Sequence, residues 1–365
     1  MKAQFQKLLQ RAVQKDASDV HLKVGNVPWF RVDGEMLPQE GDPYTVEVMD
    51  AVLNILLSED QRRHLNKRGE VDLSYTEKGV GRFRVNVYRQ RGAISCVMRR
   101  IKTAMQSFDQ LHLPAALKRF AMLQRGLVLI TGTTGSGKTT TLAAIVDYIN
   151  RHRRCHIITI EDPIEYLHND HRGLVSQREI SMDTMDFSSA LKSVMRQDPD
   201  VILVGEMRDL ETFQAAISAA ETGHLVFTTL HTTNVMQTID RIIDLFPSNQ
   251  HDQIRSQLSL NLKGIMCMRL LPRADGVGRV PACELLMVNP SARKLIKENR
   301  IMQLDGVIAS GQEDGMLSFN DSLHNLIKEG LITQETGTEV SDNPEDLNML
   351  LQGIRLSSRR GGILK

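Results

Sequence analysis

Residues 126–139, GLVLITGTTGSGKT, constrain the fold more than any other stretch of this 365-residue chain. Positions 132–139 satisfy G-x-x-x-x-G-K-[ST] in full. They also stand in the context that motif requires, after an apolar run at 126–130 and before a helix predicted to begin near Lys138. Gly132, Gly135 and Gly137 let the backbone curl so that successive N–H groups face one anion. The first turn of the helix adds the positive end of its dipole. Lys138 neutralises β- and γ-phosphates, and the Thr139 hydroxyl is placed to ligate Mg²⁺. The sequence therefore predicts a Mg²⁺–nucleotide site, with ATP held by Gly132, Thr133, Thr134, Gly135, Ser136, Gly137, Lys138, Thr139 and Thr140.

Such a loop joins a buried strand to a helix, and the surrounding sequence agrees. Apolar, β-branched runs at 127–130, 157–160, 201–204 and 225–230 alternate with helical stretches, as in a parallel sheet covered by helices. The first hundred residues read differently, as α+β. Phe5, Leu8, Leu9, Ala12 and Val13 recur at helical spacing, and Val20, Leu22 and Val24 alternate with polar residues. Trp29–Val32 reads as a strand, Asp33-Gly34 as a hairpin turn, 46–57 as a helix, and 71–75, 83–88 and 93–99 as strands. The expected organisation is a smaller α+β domain at 1–103, a linker with a short helix at 104–125, the nucleotide-binding core at 126–288, and a helical region at 289–365 ending in a mobile tail at 357–365.

Composition excludes several function classes. Lys+Arg is 45 against 44 Asp+Glu, which argues against a nucleic-acid coat, and 4% aromatics argues against base-stacking platforms. No nucleic-acid partner is expected. Cys96, Cys155, Cys267 and Cys283 are scattered without metal-ligand spacing and read as reduced thiols. No apolar run reaches the roughly 18 residues that a membrane span needs, and 1–16 lacks the pattern of a signal peptide, so a cytoplasmic protein is expected.

Hydrolysis requires carboxylates near the phosphates. Asp198-Pro-Asp200 introduces an apolar strand that ends in Gly205-Glu206, where a carboxylate can position metal and attacking water. A second acidic group, Glu161-Asp162-Pro163-Ile164-Glu165, follows 157–160, and Glu161 or Asp162 could serve the metal's hydration shell or the water. Glu206 and Glu161 are therefore the candidate catalytic and Mg²⁺-binding acids, and the sequence does not separate their roles. His224 and His231 flank 225–230, marking the start and end of one strand. His231 is expected to sense a γ-phosphate, and His224 is counted with the nucleotide-binding residues.

These elements, in this order, resemble the secretion ATPase superfamily: a phosphate loop, an acidic box at 159–166, a strand ending in Gly-Glu, and a histidine box at 224–231. The segments 196–200, 204–212, 220–224, 18–22 and 81–86 resemble the PilT-like branch, the retraction ATPases of type IV pili. That resemblance implies a PAS-like N-terminal domain joined to a RecA-like core, assembled as a homo-hexamer. It also implies partnership with an inner-membrane pilus platform protein and a paralogous motor ATPase, at the inner face of the cytoplasmic membrane. It bears on the seven cations of 82–102 (Arg82, Arg84, Arg89, Arg91, Arg99, Arg100, Lys102), which otherwise read as a solvated strand face. Relatives send arginines of this domain to nucleotide phosphates, and Arg84 and Arg99 match those positions.

One stretch departs from the branch. Ser291-Ala-Arg-Lys-Leu-Ile-Lys-Glu298 keeps Arg293, Leu295, Ile296 and Glu298 of the motif Ala-Ile-Arg-Asn-Leu-Ile-Arg-Glu and departs from it at Ser291, Ala292, Lys294 and Lys297. This leaves open an accessory PilU-type paralogue with weak turnover of its own. A pilus-extension or secretion ATPase and a nucleic-acid translocase are further alternatives.

Overall fold

Two sheets, one in each of two units, organise the chain in the computed structural model, which describes residues 1–32, 34–101 and 105–354. Asp33 of the expected turn, Lys102 of the basic stretch and the tail 357–365 lie outside the described residues. The first unit comprises Met1–Ala104 with Pro163–Leu167, and the second Met105–Asp162 with His168–Lys365.

The first unit is built on six strands, β1 (Asp19–Lys23), β2 (Trp29–Val32), β3 (Glu35–Pro38), β4 (Glu70–Glu77), β5 (Gly81–Gln90) and β6 (Ala93–Arg100), in the order β3-β2-β1-β6-β5-β4. Every pairing in it is antiparallel. In β5 Phe83, Val85 and Val87 are buried while Arg84, between them, is exposed, as a strand with one face in the core requires. Helix Lys2–Gln14 buries Phe5, Leu8, Leu9 and Ala12, the spacing read from the sequence. Helix Glu59–Arg68, not anticipated, starts at a reciprocal cap between Ser58 and Gln61.

The second unit holds β7 (Gly126–Thr131), β8 (His156–Glu161), β9 (Leu174–Glu179), β10 (Val201–Val204), β11 (Leu225–Leu230), β12 (Leu262–Pro272) and β13 (Arg279–Met287), in the order β13-β12-β7-β11-β10-β8-β9. All pairs are parallel except β12 with β13. The sheet is thus mixed, because the hairpin of β12 and β13 extends the edge beside β7. The central strands are buried on both faces. One face carries helices such as Phe187–Val194, Leu210–Glu221 and Val235–Asp244, and the other carries Lys138–His152.

Two expected boundaries are corrected. From Met105 onward the presumed linker is part of the second unit, because Phe108, Leu113, Leu117 and Phe120 are buried in its core with Ile130 and Ile145. The C-terminal helices belong to that unit too: Ala292, Ile296, Leu304 and Ile308 join the same cluster as Ile202 and Val226. Phe120→Ala should therefore cost about 3–5 kcal/mol of stability in equilibrium urea denaturation. A linker side chain would cost under about 0.5 kcal/mol.

Candidate functional site

The parallel register brings the C-terminal ends of β7, β11, β10 and β8 to one edge of the sheet. Leu230 pairs with Thr131, Thr228 with Val204, and Val204 with Ile160. At or just past those ends stand the phosphate loop, His231, Gly205-Glu206 and Glu161, side by side. With strands about 4.8 Å apart, Glu206's strand is about 10 Å and Glu161's about 14 Å from the loop's.

The loop leaves β7 at Thr131 and enters helix Lys138–His152 through Gly137, which caps it at a positive φ of 98°. Gly132 has φ 148°, and a Cβ there would fall 2.5 Å from the Met268 carbonyl oxygen and closer still to Ser136 Oγ. Only glycine fits. Lys138 is buried, and its Nζ donates to the carbonyl oxygens of Gly132 at 2.7 Å and Thr133 at 2.9 Å. Burial lowers its pKa, and the charge of Glu206 works against that shift. Ser136 Oγ is buried with no partner, whereas Thr133, Thr134 and Gly135 are exposed and Thr139 and Thr140 half-buried. A lysine short of charged acceptors, an orphaned hydroxyl and a cradle that a Cβ would fill suit a phosphate chain. Among the described residues no group of three or more His, Cys, Asp or Glu could hold a metal. The donor set fits a magnesium ion bound through one hydroxyl and phosphate oxygens, not an all-protein cage.

Glu206 has a guanidinium on one oxygen and an imidazole standing farther from the other. Arg208 Nη2 approaches Oε1 at 2.6 Å, and His231 Nε2 lies 3.8 Å from Oε2. The backbone beneath it is fixed by Gly205 N–H donating to Ile160 O and by Thr229 Oγ1 donating to Gly205 O. A Cβ at 205 would stand 3.2 Å from the Ile160 carbonyl oxygen, tighter than an ordinary contact. Glu161 has a different setting: its Oε1 accepts from Thr159 Oγ1 at 2.6 Å and from Gln177 Nε2 at 3.2 Å.

His224 does not join this edge. It precedes β11, its carbonyl accepts from Gly126 N–H at the start of β7, and its Nδ1 meets the Ala219 carbonyl oxygen at 2.9 Å. Six residues of strand, about 20 Å, separate it from its own phosphate loop. Within one chain His224 thus stands at the sheet edge opposite the phosphate loop. In the first unit, Arg84 and Arg99 are cross-strand neighbours. Arg99 Nε donates at 2.8 Å to buried Asp19, which also accepts from Ser18 Oγ, and Arg100 pairs with Asp16. Part of the basic stretch therefore has local carboxylate partners. Sequence reasoning gave no role to Arg208, Gln177 or Thr229. Arg208 carried a signal, a cation two residues from the candidate base, while Gln177 sits in a strand too polar to stand out.

Comparison with known proteins is decisive on family. The family described as "Type II/IV secretion system protein" matches residues 1–334. The chain belongs to it. The type IV pilus retraction ATPase PilT of Pseudomonas aeruginosa is 42% identical over 93% of this chain and 98% of its own length. The type IV pilus ATPase PilU of the same organism is 40% identical over 96% of this chain and 91% of its own. A crystal structure of the pilus retraction motor PilT with bound ADP superposes with a TM-score of 0.87 at 43% identity, covering 94% of this chain and 98% of that one.

Gly132→Ala should abolish ADP binding in calorimetry and lower the apo protein's thermal stability without unfolding it, since the added methyl presses on Ser136 and on the Met268 carbonyl oxygen of β12. Retained ADP binding would show that the cradle is not the phosphate site.

Proposed function

We propose that this chain is a Mg²⁺-dependent ATP hydrolase that powers retraction of a type IV pilus, acting as a ring of six copies. The observation that carries the reading is the meeting at one sheet edge of a complete phosphate loop with Glu206, His231 and Glu161. The pilus assignment is supported by likeness to PilT along nearly the whole chain.

The chain's own groups divide the work. Loop N–H groups, Ser136 and Lys138 hold the phosphates, and the Thr139 hydroxyl is the protein's ligand to Mg²⁺. The bound metal would neutralise phosphate charge. Glu206 is the residue that takes a proton from water: its strand is nearer the loop, and no hydroxyl or amide donor of its own sheet occupies its oxygens as in Glu161. His231 orients Glu206 from the intervening strand. Glu161, tied by Thr159 and Gln177, supports metal or water from farther out. Arg84 and Arg99 would add positive charge from the first unit. Their adjacency and the family resemblance support that role.

The place of work is the inner face of the cytoplasmic membrane, against the pilus platform protein and beside a paralogous motor. Among the described residues no helix is long and apolar enough to cross a membrane. A second reading, an accessory PilU-type motor, is favoured by 40% identity to PilU and by the altered segment 291–298.

Glu206→Gln should bind ATP normally and turn it over about 10²- to 10⁴-fold more slowly. Cells carrying it as the sole copy should bear excess pili and fail to twitch. Undiminished turnover removes Glu206 from the role, and bald cells contradict retraction. Weak wild-type turnover with retraction intact in its absence favours the accessory reading.

A further inference from the structure

Beneath the phosphate loop a row of polar side chains crosses three strands. Thr131 on β7 pairs with Cys267 on β12, and Cys267 pairs with Glu284 on β13. Directly opposed residues share a face of the sheet, so the three side chains line up. All are buried, and Thr131 Oγ1 donates to Cys267 Sγ at 3.0 Å. Thr131 is the residue immediately before Gly132.

Glu284 ends this row at a helix. Its Oε2 accepts from the backbone N–H of Val235, first residue of helix Val235–Asp244, at 2.8 Å. That N–H is one of the helix's unpaired donors, and a carboxylate there also meets the positive end of the dipole. One turn on, Thr238 Oγ1 lies 2.7 Å from Thr232 Oγ1 and 3.9 Å from Cys267 Sγ. Thr232 follows His231 directly. The network thus joins the strand that feeds the phosphate loop to the segment that carries His231.

A carboxyl in such a place is costly to keep. Burial raises the Glu284 pKa to about 7, with Asp305 and Asp342 adding to the shift and Val235 N–H and Cys267 opposing it. Asp342 is itself held by Arg269 at 2.9 Å. An apolar residue would pack this position at less cost, whereas a carboxylate supplies a directed clamp.

We propose that Glu284 is a positioning residue, clamping the start of helix Val235–Asp244 so that His231 is held in register with Glu206 and the phosphate loop. This rests on the ATPase reading above, and wild-type turnover is the control that separates the two. Glu284 touches neither nucleotide nor the catalytic carboxylates; it acts through the helix.

The test is steady-state ATP turnover of the full-length protein as wild type, Glu284→Ala, Glu284→Gln and Thr238→Val, each checked for folding by circular dichroism. Glu284→Ala should lower kcat about 10- to 100-fold, the scale of a catalytic group displaced by about an ångström, with KM for ATP within about twofold. Glu284→Gln, whose amide oxygen can still accept from Val235, should recover most of that loss. Thr238→Val, nearly isosteric, should lower kcat in the same way, and it decides the matter if Glu284→Ala does not fold. Wild-type kcat in folded Glu284→Ala or in Thr238→Val overturns the proposal, as does a Gln variant as slow as the Ala variant. An inactive wild type would instead overturn the ATPase reading.

Discussion

Everything at the candidate site depends on the parallel pairing of β8, β10, β11 and β7. Parallel strands run their C-terminal ends to one edge, and loops leaving those ends share a crevice. Residues far apart in sequence, such as Glu161 and His231, become neighbours only through the pairs Ile160↔Val204, Val204↔Thr228 and Thr131↔Leu230. A one-residue slip in any of these pairings would exchange the two faces of a strand and shift its C-terminal residue about 3.3 Å along the site. Strands apolar on both faces hold their register through the helices packed against each face, so core packing and site geometry are one constraint.

Within that frame the site is electrostatically poised. Lys138 is a buried ammonium that satisfies itself on two neutral loop carbonyls. Negatively charged phosphate oxygens are stronger acceptors, so binding would exchange weak partners for strong ones. Glu206 is paired with Arg208, and His231 Nε2 stands 3.8 Å from its other oxygen. Arg208 is exposed, while the backbone under Glu206 is fixed by Thr229 and Ile160. The side chain that would handle the proton therefore sits on a hydrogen-bonded base beneath a solvent-exposed counter-ion.

Much of this was legible in the sequence because local chemistry dictated it. The phosphate loop needs its glycines, lysine and threonine contiguous, so its position and context are readable from 126–139 alone. Apolar runs marked four core strands for the same reason. The strand order was not legible, because nothing in a run such as Val201–Val204 says which neighbour it pairs with. β9, LVSQRE, escaped notice as a polar edge strand, and β12 and β13 escaped because their side chains do not alternate. The segment 104–125 reads as a linker because it carries only one short helix, yet Phe108, Leu113, Leu117 and Phe120 are spaced to reach one core. The histidine box spans the full length of β11, so His224 and His231 end at opposite edges of the sheet, as their places at the start and end of that strand imply.

The most direct measurement is a structure of the full-length protein with Mg²⁺ and a non-hydrolysable ATP analogue. The account predicts Lys138 Nζ withdrawn from the carbonyls of Gly132 and Thr133 and bonded to the β- and γ-phosphates. It further predicts Mg²⁺ on the Thr139 hydroxyl and a water lying between the γ-phosphate and Glu206. A nucleotide bound elsewhere, or Lys138 unmoved with Glu206 turned away from the phosphates, would contradict it.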